Sequence, residues 1–256
     1  MAIDFMGKGK SVIFLIALML IFFLINYSWV NSYFIRDFSN KENTLAARVV
    51  DGDTIETGNH VKIRLLGINC PEKGEEYYAE AKSFLESLIL NKTIELESGK
   101  ENRDLYNRSL RYIFIDGKNA NLELIKNGLA NAYFPSGKDK HYNEFFEAWD
   151  NCLSKNINLC EKSKDKCAEC IEVKEWDYKK DILTFYNKCS FDCDISRWTI
   201  KDEGRKKYTF DNSVLKSNSE ITITSKDFGE IYVWTKTGDS LFLRDDGNKL
   251  VLYKNY

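Results

Sequence analysis

The chain is predicted to be mainly β: a small closed barrel with helices, then an all-β domain, the two preceded by one membrane-spanning helix. Three observations carry this. An apolar stretch from Ser11 to Val30 holds no charged residue. From Thr44, short β-rich runs are interrupted by one amphipathic helix and closed by two more. Beyond Cys170, strand signals recur at roughly ten-residue intervals with little helical pattern. At 256 residues the chain can hold two modest domains and an anchor. Its 37 Lys and Arg against 39 Asp and Glu give a net charge of -2, which excludes a generally basic surface. Any phosphate recognition must therefore be local.

Taken in order, residues 1–10 read as a cytoplasmic N-terminus and residues 11–30 as a signal-anchor helix of about bilayer length. Lys8 and Lys10 precede the apolar run, and Tyr27, Trp29 and Tyr33 fall where an interfacial aromatic belt sits. This predicts a single-pass protein of the cell membrane, in contact with the bilayer through this helix, with everything after it outside. A cleaved signal is the alternative, but Tyr-Ser-Trp-Val-Asn-Ser-Tyr offers poor small residues for cleavage. Residues 31–43 are polar and mixed in charge, as a stalk would be.

The first domain is placed at 44–163. Ala46–Val50, Asp53–Thr57 and His60–Leu66 are short strand-like runs separated by Asp-Gly and Gly-Asn turns. Glu76–Leu90 carries Ala81, Phe84, Leu85, Leu88 and Ile89 at helical spacing. Strands Thr93–Glu97 and Arg108–Ile115 follow, then helices Asn121–Asn127, capped by Gly128, and Lys140–Lys155. Five strands and these helices predict an OB-fold barrel, which presents one face and two loops to oligonucleotides. The second domain, 164–256, is predicted as a β-sandwich with strands at 182–187, 197–201, 208–210, 220–224, 231–234, 240–244 and 249–253.

The densest chemistry lies in Val50-Asp-Gly-Asp-Thr54, Ile63-Arg-Leu-Leu-Gly-Ile-Asn-Cys-Pro-Glu72 and Asp104-Leu-Tyr-Asn-Arg-Ser-Leu-Arg-Tyr112. An acidic turn, two arginines and a Pro-Glu corner are the equipment for holding a metal and a phosphodiester together. With Glu80-Ala81, Asn121, Gly128-Leu-Ala130, Ala132-Tyr133 and Leu153–Leu159, these blocks resemble the thermonuclease family of staphylococcal nuclease-like domains from about Ala46 to Cys160. The second domain resembles a lamin-tail domain, an immunoglobulin-like β-sandwich, through Asn187, Asp194–Asp202, Tyr208-Thr-Phe210, Val233-Trp234 and Gly238–Gly247.

The first resemblance implies a Ca²⁺-dependent endonuclease cleaving DNA or RNA with little sequence preference and leaving a 3′-phosphate. Asp53, Asn69 and the Cys70 carbonyl would hold Ca²⁺, a hard cation that takes oxygen ligands. Glu72 would be the general base or orient the water, and Arg64 and Arg108 would clamp the phosphate through planar guanidinium forks. Tyr106 and Tyr133 would line the nucleotide site. Asn69 stands where many members have a second aspartate, so weaker Ca²⁺ binding is expected; Leu105 stands where a lysine is common. Asp51 reads as a turn residue accepting backbone hydrogen bonds. The alternative is a catalytically weak or inactive module that binds nucleic acid or a protein at the cell surface. For the lamin-tail-like domain no ligand can be named.

Seven cysteines leave one over, and Cys70 is the natural odd one. Cys152 and Cys160 flank the end of the last helix and are a candidate disulfide. Cys167, Cys170, Cys189 and Cys193 have the spacing of a four-thiolate Zn²⁺ site, while export favours two disulfides instead.

Overall fold

The computed structural model describes residues 41–256 together with Leu15, Ile16, Leu18, Met19, Ile21 and Phe22. Those six are helical and exposed. The remainder of the apolar stretch and the stalk up to Asn40 lie outside the described residues. Among the described residues no helix is long and apolar enough to cross a membrane.

Strands β1 (Lys41–Asp51), β2 (Thr54–Thr57), β3 (Lys62–Leu65), β5 (Thr93–Arg103) and β6 (Ser109–Ile115) form a sheet in the order β3-β2-β1-β5-β6. A parallel pairing of β3 with β6, Arg64 opposite Leu110, closes it into the five-stranded barrel expected. Short β7 (Lys118–Asn119) extends β6, and β4 (Gly67–Asn69) pairs with β8 (Asn131–Tyr133). The barrel is filled by Ala46, Val49, Ile55, Ile63, Leu65, Ile94, Leu96 and Ile113.

Helix α1 (Tyr78–Ile89) buries Ala81, Leu85 and Ile89, a stripe at i, i+4, i+8. Helix α2 (Ala120–Lys126) is N-capped by Asn119, whose side chain accepts from the Leu122 N–H. Gly128 follows it at φ 62°, with Leu129 N–H returning to the Leu124 carbonyl. Buried Asn121 ties α2 to the barrel seam: its Oδ1 accepts from Ile113 N–H and its Nδ2 donates to the Leu66 carbonyl. Helix α3 (Tyr142–Lys155) buries Phe145, Ala148, Trp149 and Cys152, and a 3₁₀ turn at Asn158–Cys160 ends this half.

The C-terminal half begins with β9 (Ile171–Asp177), a strand not expected from the sequence pattern, and β10 (Ile182–Asn187). Then come β11 (Cys193–Asp194), β12 (Thr199–Lys201), β13 (Lys207–Thr209), β14 (Val214–Leu215), β15 (Glu220–Thr224), β16 (Ser240–Arg244) and β17 (Leu250–Asn255). They make antiparallel sheets β15-β10-β9 and β13-β12-β16-β17, with a small β11-β14 ladder. Leu183, Phe185 and Ile223 from the first sheet meet Ile200, Leu241 and Leu243 from the second around Trp198, Phe210 and Trp234. The strand expected at 231–234 does not form. Val233 and Trp234 instead donate their N–H groups to Asp181 Oδ1, which holds the segment as a loop.

Residues Asn43–Tyr256 are one compact unit. Trp149 of α3 meets Phe242 of β16 edge-on, ring centroids 5.6 Å apart, and lies equally close to Tyr253 of β17. Phe242 and Leu250 belong to the barrel-side core. Buried Arg244 donates to the Leu159 carbonyl at 2.7 Å, and Leu250 N–H to the Glu161 carbonyl at 2.8 Å. The β-sheets are thus built onto the barrel rather than strung from it.

Three disulfides are present among the described residues: Cys152–Cys160, Cys167–Cys193 and Cys170–Cys189. The last two consume all four thiols of the candidate Zn²⁺ cluster and pin the linker to β11 and to the turn that follows β10, so zinc has no ligands there. Cys70 is free and buried.

Candidate active site

The β1–β2 hairpin carries the acidic turn. Asp51 Oδ1 accepts the Asp53 N–H at 3.1 Å, the bond expected of an aspartate opening a turn. Gly52 has to lack a side chain, since a Cβ would come within 2.8 Å of the Ala81 Cβ and 2.9 Å of the Cys70 Sγ. That close approach packs the acidic turn against α1 and against the Asn69-Cys-Pro-Glu72 corner. Asp53 is buried; its Oδ2 accepts the Cys70 N–H at 2.9 Å and pairs with Arg64 Nη2 at 3.1 Å. Burial first, then the neighbouring Asp53 charge, push the Asp51 carboxyl above its ordinary range. Burial likewise drives the Cys70 thiol well up, so it stays protonated.

Arg64 lies between core residues Ile63 and Leu65 and is itself buried. Its Nη1 donates to the Leu65 carbonyl at 2.8 Å, and its Nη2 to Asn69 Oδ1 at 3.2 Å as well as to Asp53. Barrel closure brings the start of β6 alongside, and with it Arg108. The Asp104 carboxylate builds that loop, accepting N–H groups from Tyr106 and Arg108 and the Arg108 Nε at 2.6 Å. Burial alone would raise Asp104; these Arg108 bonds hold it below its usual range. Arg108 Nη1 also reaches Thr54 Oγ1 at 3.4 Å, and Thr54 Oγ1 donates to Asp53 Oδ1 at 3.2 Å. One hydrogen-bonded chain therefore joins both arginines to the acidic turn.

Arg64, Asn69, Tyr106, Arg108 and Tyr133 line one cleft of about 790 Å³. Leu105 and Tyr106 stand at its lip, 101% and 77% exposed. Tyr133 is half-buried, and its hydroxyl is held above its ordinary pKa by burial, with Arg64 opposing. Asp53 and Cys70 lie behind Arg64 rather than on the cleft wall. Glu72 is also off the wall: its Oε1 is paired with Arg205 Nε at 2.7 Å.

The structure adds residues to which the sequence pattern assigns no role. The far wall of the cleft is supplied by Asp202–Lys206, between β12 and β13, and by Tyr232. Asn69 Nδ2 donates to the Gly204 carbonyl at 2.8 Å, and Asn131 Nδ2 to the Glu203 carbonyl at 2.9 Å. In sequence, Asp202-Glu-Gly-Arg-Lys206 reads as an ordinary polar turn; only the docking of the two halves brings it here.

For a hard cation, Asp53 offers the carboxylate nearest the arginines, but as placed it is paired with Arg64, and among the described residues no three or more His, Cys, Asp or Glu side chains gather as a metal site. Asn69 adds no ligand as placed, because its carbonyl oxygen faces Arg64.

Residues 62–162 match the staphylococcal nuclease homologue family. A thermonuclease of Staphylococcus intermedius is 32% identical over 130 residues, 47% of this chain and 77% of that protein. An uncharacterized endonuclease of Haemophilus influenzae is 29% identical over 163 residues, covering 62% of this chain and 86% of its own length. The SPbeta prophage-derived endonuclease YokF of Bacillus subtilis is 32% identical over 127 residues, 45% of this chain and 43% of its own. With the closed barrel, the acidic turn and the paired arginines, these matches establish that the chain belongs to the staphylococcal nuclease homologue family.

Proposed function

We propose that this protein, a nuclease by its family, is a Ca²⁺-dependent endonuclease that hydrolyses DNA or RNA phosphodiesters with little sequence preference at the outer face of a cell membrane. The observation that carries the reading is the convergence of Arg64 and Arg108 on one cleft, both bonded through Asp53 and Thr54 to the acidic turn. Guanidinium forks match phosphate oxygens and meet the charge that builds as phosphorus becomes five-coordinate.

In this reading a water oxygen bonds to phosphorus as the bond from phosphorus to the 5′ oxygen breaks. Glu72 takes the proton of the water, and the departing 5′ oxygen takes one from solvent, leaving a 3′-phosphate. Arg64 and Arg108 hold the phosphate, while Tyr106 and Tyr133 flank the nucleotide. Asp53 and the Cys70 carbonyl would hold Ca²⁺, which would supply positive charge to the reaction once Asp53, bonded as placed to Arg64 and the Cys70 N–H, turns to it. Asn69 brings no negative charge, so millimolar rather than micromolar Ca²⁺ is expected to be needed.

Anchoring through residues 11–30 and export are part of the same proposal, supported by the uncharged apolar run and by three disulfides, which persist in oxidising compartments. The two C-terminal sheets are read as a lamin-tail-like, immunoglobulin-like sandwich. Susceptibility of the C-terminal half to protease added to intact cells is the expected result for this topology; protection would reverse it.

One observation favours the binding-only reading: Glu72 is engaged by Arg205 and Asn69 Oδ1 by Arg64, so neither is free as placed. The deciding experiment uses the full chain in detergent with plasmid and single-stranded DNA, Ca²⁺ titrated from micromolar to millimolar, and a chelator control. Cleavage that needs Ca²⁺ and falls at least about a hundredfold in Glu72→Gln is expected for a general base. Retained DNA binding without cleavage at any Ca²⁺ concentration would establish the binding module.

A further inference from the structure

The loop Asp202–Lys206 belongs to the C-terminal half, yet it is fastened into the nuclease cleft at three points. Asn69 Nδ2 holds the Gly204 carbonyl, Asn131 Nδ2 holds the Glu203 carbonyl, and the Phe134 N–H donates to Glu203 Oε1 at 3.3 Å. Beneath it the Trp149–Phe242 contact and the Arg244–Leu159 bond fix the two halves together. Side chains on this loop are therefore held in place over the cleft.

Arg205 is one of them. Its side chain is 56% exposed and faces the same cleft as Arg64 and Arg108. Nε is taken by Glu72, while the two Nη nitrogens carry no hydrogen bond among the described residues. Lys206 Nζ sits 3.7 Å from the ring centroid of Tyr232, and the ring, 55% exposed, stands on the sandwich side of the cleft where Tyr106 stands on the barrel side. A guanidinium with open donors and an exposed aromatic ring on the same cleft wall are what single-stranded nucleic acid uses, a cation for the phosphate and a flat face for the base.

We propose that the C-terminal half forms the second wall of the substrate cleft, with Arg205 binding a phosphate next to the scissile one and Tyr232 stacking on a base of the same single strand. The proposal rests on the nucleic-acid substrate proposed above, and it extends the site beyond the barrel. It also gives Asn69 a reason: an amide can donate to the Gly204 carbonyl, and a carboxylate cannot.

The test is binding without cleavage. Full-length protein in detergent, in excess chelator, is titrated against a fluorescein-labelled octathymidylate by anisotropy at several NaCl concentrations. Arg205→Ala is expected to weaken binding about tenfold and to flatten the salt dependence by about 0.7 in the log–log slope, as follows when one phosphate of a single strand is no longer neutralised by the protein. Tyr232→Ala is expected to weaken binding about fivefold or more with the slope unchanged. Arg205→Lys is expected to keep the wild-type slope. Arg197→Ala, which removes an exposed cation of the same half outside the cleft, is expected to bind as wild type.

Wild-type affinity and slope in Arg205→Ala would overturn the proposal. So would an Arg205→Lys slope as shallow as that of Arg205→Ala, which would trace the effect to a displaced loop. An Arg205→Ala loss that vanishes in the Glu72→Gln background would assign it to the uncovered carboxylate, with the same consequence. Because binding is read without Ca²⁺, a failure of the nuclease reading shows separately, as intact DNA in the cleavage assay.

Discussion

Asn69 shows how one side chain decides between two neighbours. Its oxygen faces Arg64 and its amide nitrogen faces the Gly204 carbonyl, so both ends meet the partner their chemistry requires. Asn69→Asp would set a carboxylate oxygen against that carbonyl at hydrogen-bonding distance. Losing a buried hydrogen bond of this kind costs about 1–3 kcal/mol, and the melting temperature in chelator is expected to fall by about 5 °C. An unchanged melting temperature would mean that the bond does not hold the loop. Gly52 gives a second test at the same scale. Gly52→Ala has no room against Cys70 and Ala81, so a loss of about 1–3 kcal/mol is expected, visible as a lower denaturant midpoint. The meeting of Arg64 and Arg108 on one cleft was legible through the family-like blocks that carry them, whereas Asp53 and Glu72, read from the same blocks, lie off its wall. Arg205 was not legible, because a lone arginine in a polar turn carries no local signal.

At the level of elements, legibility followed how local the determining contacts are. The three helices were readable from their apolar spacing and from the Gly128 cap, because those signals lie within each helix. The strands of the barrel were readable from alternation and a closed barrel was expected from their number, but not which strands meet at the seam: β3 pairs with β6 across β4, α1 and β5, a contact no local pattern encodes. The stretch 231–234 alternates like a strand and is none, since a single distant carboxylate, Asp181, takes its backbone donors. Cysteine pairing was open for the same reason: spacing admitted both zinc and disulfides. Cys167–Cys193 and Cys170–Cys189 close loops of 26 and 19 residues, and removing both is expected to cost roughly 2–4 kcal/mol for each. Denaturant midpoints of the wild type beside a Cys189→Ser, Cys193→Ser double variant measure this, since reductant would also open Cys152–Cys160, and zinc added to the reduced wild type should restore nothing. Recovery of stability by zinc in the reduced protein would instead revive the thiolate site.

The whole molecule is held by two cores meeting through aromatic rings, with an acidic trio set at the junction beside the cleft. Asp202, Glu203 and Asp239 are all buried. Burial, followed by the charge of Asp239, pushes the Glu203 carboxyl up to about 9 and Asp202 up to about 7. Burial raises Asp239 too, although the N–H groups of Thr235, Glu203 and Ser240 oppose it, and Lys206 nearby offsets part of the charge. Folded Glu203 thus keeps a proton that the unfolded chain releases near the ordinary value of 4.5. Its contribution to stability is complete below that value and is lost progressively as pH rises toward about 9, because the unfolded state binds fewer protons across this window. The slope for one such group is about 1.4 kcal/mol per pH unit, so the melting temperature is expected to drop by about 3 °C for each unit between pH 6 and pH 9. Glu203→Gln, which stays neutral at every pH, should flatten that decline and leave Asp202 to account for the part below pH 7. A wild-type melting temperature that holds steady or rises from pH 6 to pH 9 would show that Glu203 is ionised in the fold. The same ionisation bears on the cleft, because Glu203 immediately precedes Gly204 and Arg205. A charge on Glu203 is repelled by buried Asp239 and Asp202 at the base of this loop, even though the Phe134 N–H donating to its carboxylate favours it. Oligonucleotide affinity in chelator should therefore weaken over the same pH range, and less so in Glu203→Gln.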